Sequence, residues 1–256
     1  MLDIPISGDP SQIPVQPIPF EYPLLNFAEC LQSLGPAKIV ALGSSTTAGE
    51  GGIVAYPYRL EALLRAKYPD IMIDVLNRGI GGQEAPVELD RLGPDVLAEQ
   101  PSLVIWQVGT NAVWQPPDQN PPSAKDTIDA IRNGIARLQE TGCIDVVLMD
   151  LQYVPAVLTP AKRDAALKMV SAIGEVADKL QVNVFRRFAL MEGWHEVEGV
   201  SFDQMVDPTD PNRLHDSDWT TQRLTGALND QIVAGVAKAL AMSPPNKSAP
   251  AHRPTS

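Results

Sequence analysis

Cysteine is scarce in this chain: two, Cys30 and Cys143, among 256 residues. Two cysteines make neither a disulfide framework nor a zinc cluster, and their apolar neighbours predict buried free thiols. Histidine is nearly as rare. His195, His215 and His252 stand far apart, so the paired-histidine motif of a metal hydrolase is missing and no metal site is expected. No apolar run approaches the roughly 20 residues needed to cross a bilayer, so no transmembrane segment is expected. Met1–Phe20 has neither a basic start nor an apolar core and does not read as a signal peptide. The expectation is a cytoplasmic protein, or an exported one whose leader lies outside this sequence. Positive charge is also in short supply: 20 Lys and Arg against 31 Asp and Glu, a net charge of −11. That balance argues against nucleic acid and anionic membrane surfaces as partners. It leaves neutral and cationic substrates open and says nothing of oligomeric state.

What is present is an alternation of strands and helices between two proline-rich ends. Residues 1–20 read as an extended arm, residues 21–242 as one domain and residues 243–256, with Pro244, Pro245, Pro250 and Pro254, as a loose tail. Short apolar runs predict strands at Lys38–Gly43, Ile71–Asn77, Ser102–Gly109, Ile144–Asp150 and Val182–Phe185. Helical spacing predicts helices at Tyr58–Lys67, at Glu84–Glu99 with a break at Gly93-Pro94, and at Ala124–Glu140, Pro160–Leu180 and Trp219–Leu240. The order implies an α/β fold, a parallel sheet covered by helices on both faces. Such sheets bind ligands beyond the carboxyl ends of their strands, so the loops after the strands are where chemistry is to be sought.

Four segments stand at such places. The first loop reads Gly43-Ser44-Ser45-Thr46-Thr47-Ala48-Gly49, small residues that allow a sharp turn and an exposed hydroxyl. The second reads Asn77-Arg78-Gly79-Ile80-Gly81-Gly82-Gln83, whose glycines permit close backbone approach. A dinucleotide fingerprint would need glycine where Glu84 stands. The third reads Gly109-Thr110-Asn111-Ala112, with a side-chain amide offered to a cleft. The fourth, Asp210-Pro211-Asn212-Arg213-Leu214-His215-Asp216-Ser217-Asp218-Trp219, precedes the last helix, where Ser217 or Asp218 suits the N-cap. Each segment alone is also compatible with an ordinary turn.

Together, and in this order, the four segments resemble the sequence blocks of the SGNH (GDSL-like) hydrolases over roughly Lys38 to Leu240. Ser45 falls on the nucleophile, with Ser44 in place of the motif aspartate. Gly82 falls on the block-two glycine, Asn111 on the block-three asparagine and His215 on the histidine. The resemblance implies a three-layer α/β/α sandwich with a five-stranded parallel sheet, flavodoxin-like. It also implies hydrolysis of carboxylic esters through a serine acyl-enzyme, without metal or cofactor. His215 would act as base to Ser45. The Ser45 and Gly82 backbone N–H groups and the Asn111 amide would form the oxyanion hole. The acid that orients the histidine is expected three residues before it, where Asn212 stands. That spacing favours Asn212 as the orienting residue of a weaker dyad, with Asp210, five residues before, as the alternative. The family serves acetyl groups on sugars, short acyl esters, lysophospholipids and thioesters, so the resemblance implies a small-molecule or carbohydrate ester as substrate. Trp114 and Tyr153 are candidates to line the cleft, whereas Trp106, inside a strand, reads as core.

Three other readings compete. An α/β-hydrolase elbow, Gly-x-Ser-x-Gly, needs glycines two positions before and two after the serine, and no serine here has both. A nucleotide-binding module would rest on Gly79–Gly82 alone. A catalytically weak SGNH-like binding protein would rest on Asn212 alone.

Overall fold

The computed structural model describes residues 13–49 and 52–242. Five strands, β1 (Ala37–Gly43), β2 (Ile73–Gly79), β3 (Leu103–Gln107), β4 (Asp145–Met149) and β5 (Asn183–Phe185), form one sheet in the order β2-β1-β3-β4-β5. Every pairing is parallel. The central strands β1, β3 and β4 are buried on both faces, which explains their unbroken apolar sequences. The helices are α1 (Leu25–Gln32), α2 (Ser45–Ala48), α3 (Tyr56–Lys67), α4 (Ala85–Asp90), α5 (Leu92–Asp95), α6 (Thr110–Trp114), α7 (Ala124–Gln139), α8 (Arg163–Leu180), α9 (Arg187–Glu196), α10 (Phe202–Met205) and α11 (Asp218–Met242). The long ones cover both faces and complete a three-layer α/β/α sandwich. Because β1 lies between β2 and β3, the chain leaves it on one side and returns on the other. This reversal opens the crevice at the carboxyl ends of β1 and β3.

Several boundaries differ from the sequence reading. The segment expected as one helix over Glu84–Glu99 is α4, α5 and a 3₁₀ turn at Leu97–Glu99, broken at Arg91 rather than at Gly93-Pro94. Pro94 lies in the first turn of α5, where a missing N–H costs nothing. Helix α8 starts at Arg163, after a turn that contains Pro160. Ser217 caps α11, its Oγ accepting from the Thr220 N–H at 3.2 Å. Neither cysteine is buried: Cys30 is half-buried and Cys143 exposed. Cys30 lies off the face of α1 that buries Phe27, Ala28 and Leu31, and Cys143 belongs to the turn before β4. Residues 13–20 of the expected arm have no regular structure. They lie against α9 and α11, Phe20 buried and its N–H bonded to Gln231 Oε1 at 2.8 Å. The rest of the arm and the tail at 243–256 fall outside the described residues.

Packing between layers is tight at one glycine. A Cβ on Gly134 of α7 would stand 2.3 Å from the Trp106 ring, so only glycine lets α7 cross β3 at this distance. Trp106 is core, as its strand position suggested, and its indole N–H donates to Glu88 Oε2 at 2.7 Å. Beside Glu88 lies Glu84, also buried, in a space too narrow for a water molecule. Burial and the nearby Glu88 push the Glu84 carboxyl up to about 9, against a small opposing pull from the Ala112 N–H. Burial pushes Glu88 up to about 7, opposed by the Trp106 N–H and Arg91.

A carboxyl whose native pKa is raised keeps its proton after the unfolded chain has lost its own. Stability is then full below the unfolded value of 4.5 and falls as pH rises toward the folded value near 9. Glu84→Gln is therefore expected to equal the parent at about pH 5 and to exceed it in melting temperature at about pH 9. Parallel melting-temperature profiles across that range would show Glu84 to be ionised in the native state.

Candidate active site

The first loop is held both by close packing against β2 and by hydrogen bonds from below. Gly79, last in β2, faces α2 so closely that a Cβ would stand 2.2 Å from the Ala48 N atom. This glycine serves the approach of two backbones of the same chain, which removes it from any nucleotide cradle. Beneath the loop, the buried Gln107 at the end of β3 presents Oε1 to three donors: the Ser44 N–H, the Ser44 hydroxyl and the Thr47 hydroxyl, each at 3.2 Å. The Ser44 hydroxyl is thus directed into the core. Ser45 is the first residue of α2, where backbone N–H groups lack intrahelical partners.

The Ser45 hydroxyl lies 3.0 Å from His215 Nε2. On the other side of the ring, His215 Nδ1 lies 2.8 Å from Asp210 Oδ2. Burial alone would raise the Asp210 carboxyl, but the N–H groups of His215, Leu214 and Asn212, and the imidazole itself, hold it below the usual carboxylate range. An ionised carboxylate only accepts. Nδ1 therefore carries the hydrogen, and Nε2 offers its lone pair to the Ser45 O–H. That is the tautomer in which a histidine can take a proton from serine.

Asn212, favoured by spacing, does not orient the ring. It is exposed, and its backbone N–H donates to Asp210 Oδ1 at 2.9 Å. The reason is the shape of the loop. Arg213 adopts a left-handed conformation, φ +53°, with its N–H bonded to the Asp210 carbonyl. The chain doubles back, and Asp210 rather than Asn212 meets the imidazole. Asp210 Oδ2 also accepts from the Leu214 and His215 N–H groups at 2.9 and 2.8 Å.

The second and third loops are stitched together. The Asn111 amide donates to the Gln83 carbonyl at 3.0 Å, leaving its second hydrogen for a ligand. Gln115 Nε2 donates to the Gly82 carbonyl at 2.9 Å, which fixes the peptide after Gly82. Gly82 itself has φ +76°, a conformation that favours glycine, and space is open where a Cβ would lie. The second loop is also tied to the first, the Ile80 N–H and Arg91 Nη2 both donating to the Gly43 carbonyl.

Tyr153 is no part of a cleft wall. It is buried, its hydroxyl bonded to Glu196 and its ring against Phe188 and Phe202. Trp114 is half-buried at the end of α6. His195 stacks on Phe202 with ring centroids 3.8 Å apart and takes no part in the site. Gln107 and Arg187 are two positioning groups that motif reading passed over. Their signal was a polar residue at the end of a buried strand and an arginine amid apolar residues. Among the described residues no cluster of His, Cys, Asp and Glu could hold a metal ion.

Comparison with known proteins agrees with this architecture. A model of the non-GDSL lipase-like family matches residues 10–238. An acetylxylan esterase of Geobacillus stearothermophilus is 35% identical over 92 residues, a match that spans 36% of this chain and 40% of that esterase. Among solved structures, a variant of Axe2, an acetyl-xylooligosaccharide esterase of the same organism, superposes with a TM-score of 0.66. It is 21% identical and covers 78% of this chain and 95% of its own. An α/β hydrolase from the metagenome of Lake Arreo gives a TM-score of 0.63 at 16% identity, covering 79% of this chain and 96% of its own. Catalytic variants of Axe2 have been made at a serine, an aspartate and a histidine, the last two three positions apart. With a family match over almost the whole described chain, and a serine where the GDSL pattern has aspartate, this chain belongs to the non-GDSL lipase-like family.

Proposed function

We propose that this protein is a serine esterase that cleaves short acyl esters, acetyl groups on carbohydrate foremost, through an acyl-enzyme. The observation that carries the reading is the relay from Asp210 through His215 to the Ser45 hydroxyl, at 2.8 and 3.0 Å. A serine hydroxyl is a weak nucleophile without such a base. His215 takes the Ser45 proton as the oxygen attacks the ester carbonyl, and Asp210 stabilises the imidazolium that forms. The tetrahedral oxyanion meets the Ser45 and Gly82 backbone N–H groups and the free hydrogen of the Asn111 amide. His215 returns the proton to the leaving alcohol, and the acetyl group is left on Ser45. Water, deprotonated by the same histidine, then releases the acid.

The preference for acetylated carbohydrate rests on the acetylxylan esterase relative and on the Axe2 likeness. The net charge of −11 also disfavours anionic lipid surfaces. A panel of p-nitrophenyl esters from acetate to long acyl chains, alongside acetylated xylo-oligosaccharides, tests the assignment. Turnover is expected to be highest with acetate and to extend to the acetylated sugars. Preference for long chains would place the protein among lipases instead.

Ser45→Ala is expected to abolish both turnover and labelling by a fluorophosphonate probe, whereas Ser44→Ala keeps labelling. Loss of labelling in Ser44→Ala alone would move the nucleophile by one residue.

Asp210→Asn is expected to lower kcat by about 10⁴-fold, the order found when a triad aspartate is replaced and the tautomer is lost. Asn212→Asp should change the rate little, because that side chain faces solvent. A rate gain in Asn212→Asp, with Asp210→Asn near the parent, would restore the three-residue spacing as the functional one.

Asn111→Ala removes one oxyanion donor and should lower kcat by about 100- to 1000-fold. A change under about fivefold would take Asn111 out of the oxyanion hole.

A further inference from the structure

Gln152, just past the carboxyl end of β4, has almost no surface, and its side-chain amide is fully engaged. Oε1 accepts from the Thr110 hydroxyl and from Arg187 Nη2, both at 2.8 Å. Nε2 donates to the Leu214 carbonyl at 3.1 Å and reaches the Thr46 hydroxyl at 3.5 Å, a long contact. The orientation of the amide follows from its partners. Arg187 can only donate and the Leu214 carbonyl can only accept, so oxygen and nitrogen cannot be exchanged.

The three loop partners share one property. Thr46 follows Ser45, Thr110 precedes Asn111, and Leu214 precedes His215. One buried amide therefore contacts the neighbour of the nucleophile, of the oxyanion-hole asparagine and of the base, which come from three loops far apart in sequence. Arg187, without exposed surface, holds this amide from below. Its Nε and Nη2 donate to the Asp150 carbonyl at 3.0 and 2.7 Å, which fixes the end of β4. Its Nη1 lies 3.7 Å from Asp216 Oδ2, on the residue after His215.

We infer that Gln152 is a positioning residue that sets the relative placement of Ser45, Asn111 and His215. The inference rests on the esterase reading and adds to it a residue that does not touch the substrate. The energetic logic is that of a buried, fully satisfied polar group. Each bond contributes only modestly to stability, but an unpaired amide or carbonyl in this place would be costly, so alternative loop placements are disfavoured. Reaction rate is far more sensitive to this than stability is, since displacement by about 1 Å can cost about 100-fold.

The test is Gln152→Met, which keeps the length of the side chain and removes all four contacts. Steady-state kinetics are expected to show kcat lowered by about 100-fold with KM within about twofold. The low-field proton resonance of the His215 Nδ1–H, read without substrate, is expected to broaden or disappear. Asn183→Ala is the control. Asn183 is itself buried and makes two partly buried bonds with the Tyr22 backbone at the opposite end of the sheet, and its loss should lower the melting temperature while leaving kcat unchanged. If Gln152→Met does not fold, Gln152→Glu carries the same test, because it keeps both acceptor contacts and opposes an oxygen to the Leu214 carbonyl. A kcat within about threefold of the parent, or an equal loss in Asn183→Ala, overturns the inference. Absence of ester turnover in the parent itself counts against the esterase reading instead. In that case the proton resonance alone decides on Gln152, its persistence in Gln152→Met counting against the positioning role.

Discussion

The Asp210 carboxylate accepts four hydrogen bonds, three from backbone N–H groups of its own loop and one from the His215 ring. The first three fold the loop and the fourth orients the His215 ring, so the loop's conformation and the ring's placement depend on the same two oxygens. The left-handed residue Arg213 costs roughly 1–2 kcal/mol. Hydrogen bonds to a charged acceptor contribute roughly 1.5–3 kcal/mol each, so two of them already outweigh that strain. An uncharged residue at position 210 would weaken the turn and the imidazolium together.

The sheet supplies what a loop cannot supply for itself. Strands β1, β3 and β4 end side by side, and each carries or adjoins an amide or a guanidinium partner at its carboxyl end: Gln107 under the first loop, Gln152 and Arg187 under the third and fourth. Side-chain amides suit this duty because they offer donors and acceptors without a charge that would need neutralising in the core. The cation placed there, Arg187, is engaged by two Asp150 carbonyl contacts, the Gln152 oxygen and the Asp216 carboxylate. Asp216 is buried beside Thr221, Leu224, Thr225 and Leu228 of α11, and burial pushes its carboxyl up to about 6 even with Arg187 beside it.

Much of this was legible in the sequence. Strands buried on both faces announce themselves as apolar runs, and the five expected strands lie within two residues of the observed ones at each end. Long helices with one apolar face, α7 and α8, were legible for the corresponding reason. Helix α9 was not. Phe188, Ala189, Leu190, Met191 and Trp194 are buried around much of its girth, with Arg187 among them, so no single apolar stripe repeats at helical spacing. The one-turn helices α2 and α6 are too short to show any period. Ser45, Asn111 and His215 stood out because each stands just after a strand or just before a long helix. Gln107 and Gln152 did not, since their role lies in what they hold.

The orienting residue shows most plainly where sequence reasoning ends. The spacing argument for Asn212 assumes that the loop has the backbone path of the family pattern, in which the acid stands three positions before the base. Here two further residues lie between them. The chain absorbs the excess at Arg213, whose left-handed φ turns the loop back on itself. What the chemistry requires is a carboxylate oxygen within hydrogen-bond reach of Nδ1, and residue count is only one way of arranging it. Pro211 assists the longer path, because its fixed φ and missing N–H suit a turn position that donates no bond. Asn212 is left at the exposed tip, its N–H in service to Asp210 and its side chain outside the relay. A family motif written as a fixed spacing therefore records one loop geometry. A substitution of the acid can be compensated by a neighbour whenever the backbone can bring that neighbour's carboxylate to the same point.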